Sequence, residues 1–73
     1  PKEWCRFQAE NGKALVAGDL IDGHSRQKLG RLSTVFEANA LGLIYKKFLG
    51  ESLNLQDVEG NPLTIVKKDQ PVD

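Results

Sequence analysis

Apolar and polar residues alternate in short runs along the chain, and turn residues separate these runs at regular intervals. Leu53 and Leu55 share one face of such a run while Asn54 and Gln56 take the other, which is the period-two pattern of a half-buried strand. The run 63–67 carries apolar residues on both faces and predicts burial on both sides. The pattern predicts six strands, at Trp4–Ala9, Ala14–Ile21, Lys28–Phe36, Leu41–Lys47, Ser52–Asp57 and Leu63–Lys67.

Turn residues punctuate the predicted strands. Asn11-Gly12 predicts a two-residue hairpin turn, because both residues tolerate positive φ. Further turns are predicted at Asp22–Ser25, Gly50–Ser52 and Glu59–Pro62, where Gly, Asn, Asp, Ser and Pro cluster.

Glycines inside the strands predict a curved sheet. Gly18, Gly30 and Gly42 lie roughly a dozen residues apart, and glycine within a strand marks a bulge, a bend or a close backbone approach. A helix over 35–48 is the alternative for that segment, since its apolar residues also fall near helical spacing, but Gly42 favours a strand there. The sequence therefore predicts an all-β fold, a small antiparallel barrel or an SH3-like curled sheet of about five to six strands.

Length and charge restrict the organisation and the partners. The 73 residues allow one domain, predicted at 1–68, with 69–73 as a polar tail or linker stub. Hydrophobic residues make up 40% of the chain, which argues against disorder. Ten basic and ten acidic residues cancel, so binding of a polyanion by bulk charge is disfavoured, while a local basic patch remains compatible.

The residue inventory excludes several classes of protein. Cys5 is the single cysteine, so no internal disulfide can form and a reducing intracellular compartment such as the cytoplasm is expected. One Cys and one His do not make a zinc site of the usual kind, and we expect neither a metal nor a cofactor. No apolar run approaches the roughly 20 residues of a membrane helix. The chain starts at Pro1 and lacks Met, which predicts a piece of a longer protein or a processed product.

Catalytic pairs are weakly indicated. Cys5 and His24 could form a nucleophile and base, but they lie on different predicted elements; Cys5 in the core and His24 in a solvated turn is the favoured interpretation. Asp19 and Asp22 fall on opposite faces of a strand or around a turn, which favours turn formation. Trp4 is predicted to fill the core. Because no catalytic constellation converges, we predict that the chain is not an enzyme.

Basic residues supply the candidate binding site. On adjacent strands they could form one cationic stripe with Tyr45, Phe48 or Trp4 nearby, which is suited to a protein partner or to single-stranded nucleic acid. The alternative is solvated strand edges, where lysine deters edge-to-edge pairing. The residues predicted to contact a partner are Arg26, Lys28, Arg31, Tyr45, Lys46 and Lys47.

Three short motifs carry a resemblance to a known family. Leu29-Gly30-Arg31 matches a strand with apolar residue, Gly and a basic residue, Gly42–Tyr45 matches a Gly-Leu-apolar strand, and Glu59-Gly60 with Leu63 matches a closing hairpin. In this order and spacing the chain resembles the C-terminal β-barrel domain of the YgfZ-type folate-binding proteins, relatives of the glycine cleavage T-protein. It is also similar to the PRC-barrel.

The resemblance implies a non-catalytic barrel domain that packs on the other domains of a larger accessory factor for iron–sulfur cluster assembly, mitochondrial in many eukaryotes. The family's pterin site belongs mainly to other domains, so no cofactor-binding residue is carried over. The alternative is a self-standing β-barrel module that binds a protein or nucleic acid. Pairing of two copies through edge strands is a further expectation, because it would enlarge a small core.

Overall fold

A computed structural model describes residues 1–68, and the predicted polar tail 69–73 lies outside the described residues. The described chain is built from strands joined by short loops, with one 3-10 turn after the fourth strand. The elements are β1 Lys2–Ala9, β2 Gly18–Asp22, β3 Lys28–Phe36, β4 Asn39–Tyr45, the 3-10 turn Lys46–Phe48, β5 Leu55–Gln56 and β6 Leu63–Lys68.

All six strands belong to one antiparallel sheet of order β5-β2-β3-β4-β1-β6. The sheet curls into a half-barrel, and its two edge strands approach each other at an isolated bridge between Gln56 and Pro62. The prediction of an all-β, curled antiparallel sheet is therefore confirmed. Small barrels and curled sheets reduce the exposed strand edge in this way.

Strand alternation in β1 decides which residues form the core. Cys5, Phe7 and Ala9 point into the curl and are buried. Trp4 lies on the other face and is 46% exposed, so the prediction that it fills the core is wrong. The reason is the register: a strand that buries Cys5 and Phe7 must turn Trp4 outward. The remaining buried apolar residues are Leu15, Leu20, Leu29, Leu32, Ala40, Ile44, Phe48 and Leu63.

Two glycines permit the curl. A Cβ on Gly30 would collide with the backbone of Leu43 on the neighbouring strand, and one on Gly42 would collide with the carbonyl of Arg31. Gly30 and Gly42 lie opposite Ile44 and Leu32 in the β3–β4 ladder. The predicted close backbone approach is thus confirmed at both positions, and it lets the strands bend tightly around the apolar core.

The segment 35–48 forms the end of β3, a two-residue turn, β4 and the short 3-10 turn Lys46–Phe48, so the alternative of one helix over this segment is wrong. Phe36 and Asn39 close the hairpin around Glu37-Ala38. Glu37 adopts a φ of 53°, which is unusual for a residue with a side chain. Its carbonyl accepts the Leu15 N–H at 2.8 Å, so this turn also anchors the loop that follows β1.

Other strand boundaries differ from the predictions. Asn11-Gly12 does form a turn, but β1 pairs with β4 and β6, so this turn does not close a β1–β2 hairpin. The predicted strand 14–21 begins only at Gly18, and 52–57 shortens to Leu55–Gln56. Val66 is 59% exposed, which contradicts the predicted burial of both faces of the last strand.

Candidate binding face

The convex side of the half-barrel presents the outward residues of β3, β4, β1 and β6, and we call this surface the outer face. Its residues follow from the cross-strand registers: Arg31, Leu43 and Trp4 make one row. Three further rows cross the strands in the same way. They are Thr34, Leu41, Arg6 and Lys67; Phe36, Asn39, Gln8 and Thr64; and Tyr45 with Lys2.

An apolar groove crosses the outer face, and we call it the outer groove. Phe36, Leu41 and Val66 line it and are 73%, 37% and 59% exposed. Arg6 and Thr34 also line it, and the cavity holds about 430 Å³. Exposure of such an apolar patch to water is unfavourable in the isolated domain. Large apolar side chains grouped in this way on a protein surface therefore mark sites of interaction.

Positive charge accumulates on the outer face although the chain as a whole is neutral. Lys2, Arg6, Arg31 and Lys67 occupy outward positions of β1, β3 and β6, and within residues 1–68 the rows of the outer face contain no carboxylate. Asp19 borders the face on β2, opposite Arg31. The face is therefore both apolar and cationic.

The structure places the six predicted contact residues unevenly. Arg31 and Tyr45 lie on the outer face. Lys28 lies at its border, where its Nζ is 3.4 Å from Oδ1 of Asp19. Arg26 belongs instead to the β2–β3 turn, with a φ of 65° and its N–H bonded to the Asp22 carbonyl.

The other two predicted residues follow β4 directly. Lys46 and Lys47 form the exposed part of the 3-10 turn, so the predicted strand stops at Tyr45. The Nζ of Lys47 lies 5.1 Å from the ring centre of Phe48, and the Nζ of Lys2 lies 5.5 Å from that of Tyr45. Both pairs are within cation–π range. A cluster of cations and rings therefore continues from the outer face into this turn.

Sequence reasoning missed Lys2 and Arg6 as residues of the face, and it favoured the core for Trp4 although Trp4 was one of the rings considered beside the stripe. The signal was present, since Lys2, Trp4, Arg6 and Gln8 alternate with the buried residues of β1. Trp4 obscured it, because a lone tryptophan in a small domain is expected to be buried.

Asp22 organises the β2–β3 turn. Its carboxylate accepts hydrogen bonds from the Ser25 hydroxyl at 2.7 Å and from the N–H groups of His24, Ser25 and Asn54. The Ser25 hydroxyl bond is the main reason that the pKa of Asp22 lies below its ordinary value, and together with the backbone bonds it outweighs the opposing effect of burial. The interpretation of Asp22 as a turn residue is confirmed.

Asp57 plays the same part in the β5–β6 loop and is 2% exposed. It accepts bonds from the N–H groups of Val16, Glu59 and Asn61 and from the Asn61 side-chain amide, all between 2.8 and 2.9 Å. Burial raises the pKa of Asp57. The hydrogen bonds, of which the one from the Asn61 side chain has the largest effect, lower the pKa by more than burial raises it, so the pKa lies below its ordinary value. The carboxylate thus ties the loop after β1 to the loop before β6.

Cys5 and His24 occupy different environments. Cys5 is 0% exposed within the core, whereas His24 is exposed in the β2–β3 turn, beside a hollow of about 240 Å³ that Glu10 and Gln56 also line. In the described part of the chain, no group of three His, Cys, Asp or Glu side chains lies close enough to hold a metal ion. Nor does any helix among residues 1–68 have the length and apolar character needed to cross a membrane.

Known proteins give no relative from which a role could be inferred. The chain matches no known protein family, no curated protein and no solved structure.

Proposed function

We propose that this barrel is a non-catalytic docking domain that binds a protein surface through its outer groove. The observation that supports the proposal is the grouping of Phe36, Leu41 and Val66 around one exposed cavity of about 430 Å³. Burying such side chains on a partner removes apolar area from water, at roughly 25 cal/mol per Å² before the costs of association.

The partner in this proposal is the rest of a larger protein, similar to the YgfZ and T-protein accessory factors. The motifs around Gly30, Gly42 and Gly60 that carry the resemblance lie in β3, in β4 and just before β6. By the same resemblance the larger factor serves iron–sulfur cluster assembly in the cytoplasm or mitochondrion. A self-standing module that uses the same groove for a separate protein is the second candidate, supported by the same exposed side chains.

The gene that encodes this chain tests the domain interpretation. We expect the upstream part of the reading frame to contain the family's Lys-Gly-Cys-Tyr-x-Gly-Gln-Glu signature. A reading frame with no neighbouring domain would refute the domain interpretation and leave the self-standing module as the function of the barrel.

The docking role of the groove has its own test in the protein that this reading frame encodes. V66S should increase protease cleavage between the barrel and its neighbour, because a serine hydroxyl in the contact is desolvated without a partner. V58S is the matched control, since Val58 is 44% exposed and lies in the β5–β6 loop outside the groove. Equal cleavage of the two variants would contradict docking through the groove.

A further inference from the structure

We propose that the part of the outer face around Trp4 binds single-stranded nucleic acid, with Trp4 as the stacking surface and Lys2, Arg6 and Arg31 as phosphate contacts. The proposal concerns a ligand that the docking role of the outer groove does not supply, and it does not depend on that role.

The ring of Trp4 is not buried by the fold and can contact a ligand. It is 46% exposed, although it is the largest side chain of the chain and the only tryptophan. Side chains on a strand stand roughly perpendicular to the sheet, so the indole projects from the convex side beside its cross-strand neighbour Leu43. Stacking of a nucleobase on such a ring is tolerant of sequence, because every base has a π-face.

Cations surround this ring on three sides. Lys2 and Arg6 lie two residues before and after Trp4 on β1, about 7 Å away along the strand. Arg31 lies in the same row, two strands away across Leu43, at about 10 Å. An extended strand of nucleotides that stacks a base on Trp4 would therefore carry its phosphates past positive groups in each direction.

A carboxylate at the border of this region is paired with a lysine. Asp19 lies opposite Arg31 on β2 and pairs with Lys28 at 3.4 Å, with both side chains about half exposed. An exposed pair of this kind contributes little stability, so Lys28 can turn to a phosphate at small cost. Lys46 and Lys47 extend the positive surface beyond Tyr45.

The combination of a ring with spaced cations favours single-stranded nucleic acid over an acidic protein at this place. A protein partner needs a continuous apolar contact, which the outer groove provides farther along the strands at Phe36, Leu41 and Val66. Duplex DNA would offer phosphates but would keep its bases stacked away from Trp4. A single-stranded oligonucleotide should therefore bind to this protein more tightly than a duplex of the same length.

The test uses the chain itself and a fluorescein-labelled oligothymidylate of about 15 nucleotides. We expect the anisotropy of the label to rise and the emission of Trp4 to be quenched in the same titration. With three phosphate contacts, the logarithm of the association constant should fall with the logarithm of salt concentration with a slope of about −2. Unchanged Trp4 emission at low salt, up to a large excess of the oligonucleotide, would overturn the proposal.

Three variants separate stacking from general charge. W4L should weaken binding about tenfold or more, because it keeps an apolar side chain and removes the ring. R31Q should reduce the salt slope by about 0.7. K13Q is the matched control, since Lys13 is exposed in the loop at the other end of β1, and it should bind as the wild type does. Circular dichroism establishes that each variant is folded. Equal losses in R31Q and K13Q, or full affinity in W4L, would refute the site.

Discussion

Replacing Asp57 with asparagine should lower the free energy of unfolding more than the same carboxylate-to-amide change elsewhere in this loop. Asp57 accepts four hydrogen bonds, and the one from Val16 N–H joins segments that are 41 residues apart. In D57N the amide oxygen can still accept hydrogen bonds from some of these N–H donors. The amide N–H₂ group replaces the other carboxylate oxygen and cannot accept a bond from the N–H donors that face it. Part of the loop's backbone is then left unsatisfied.

The magnitude follows from the bonds lost. A hydrogen bond contributes about 1 kcal/mol net, and one to a charged group more, while solvent can replace those near the exposed Glu59. We expect D57N to cost about 2 kcal/mol and D57A about 3 kcal/mol. A domain of this size has only about 4 to 10 kcal/mol of stability in total, so D57A leaves little.

Urea unfolding followed by circular dichroism measures both variants. E59Q is the matched control, because it makes the same chemical change two residues away at an exposed position, and it should stay within about 0.5 kcal/mol of wild type. Equal midpoints for D57N and E59Q at neutral pH would refute the structural role of Asp57.

Acid provides a second check on the same carboxylate. The pKa of Asp57 is lower in the folded state than its ordinary value, so the unfolded state binds the proton more readily. Its stabilising effect is complete above the ordinary pKa and is lost as pH falls through the folded-state pKa. The stability difference between wild type and D57N should narrow between about pH 5 and about pH 2. A difference that stays constant over this range would show that Asp57 does not act through its charge.

Three further changes test the fold. G30A should cost about 3 kcal/mol in urea unfolding, because its Cβ meets the backbone of β4, whereas G12A, with a φ of 74° and open space around it, should cost about 1 kcal/mol; equal costs would contradict the close approach. E37G should stabilise the domain by about 0.5 kcal/mol, since glycine adopts the φ of 53° without strain, and a lower midpoint would contradict this. S25A should raise the pKa of Asp22 toward its ordinary value in an NMR titration, and an unchanged pKa would show that the hydroxyl bond is not its main cause.

The sequence was sufficient to predict the strands and the curl but not which strands are neighbours. Gly30 and Gly42 correctly mark the close approach of β3 and β4, whereas the predicted core position of Trp4 and the predicted burial of both faces of β6 are wrong. The Asn11-Gly12 turn suggested that β1 and β2 pair, yet β1 lies between β4 and β6. Local turn preference cannot determine this, because the pairing depends on which distant strand completes the core.

Two strands begin later along the chain than predicted, for a related reason. Residues 14–17 and 52–54 contain the apolar residues of a strand, and Leu15 and Leu53 do contact the core. Their backbone groups, however, bond singly to other loops, as Leu15 N–H does to Glu37 and Val16 N–H does to Asp57. Composition indicates which side chains are buried. It does not show whether the backbone forms the regular hydrogen bonds of a strand pair or single hydrogen bonds to other loops.

The sequence indicated some of the residues that lie on or near the outer face. Arg31 and Tyr45 lie on the outer face as the stripe required, and Lys46 and Lys47 lie close to it, whereas Arg26 is held in a turn. The stripe was derived from clusters of basic residues beside an aromatic ring. The face also depends on the outward residues of β1, which lies between β4 and β6 in the sheet.

The position of β1 between β4 and β6 has a consequence for how the chain reaches its fold. β1 comes before the other strands along this chain, but its partners are β4 and β6, so the pairing of Ala9 with Leu63 cannot form until β6 is in place. The β3–β4 hairpin, closed by a two-residue turn, has all its contacts within one short stretch and can form much earlier. We expect φ-values near one in this hairpin and near zero in β1. The first strand of the half-barrel along the chain would then be among the last to pair fully.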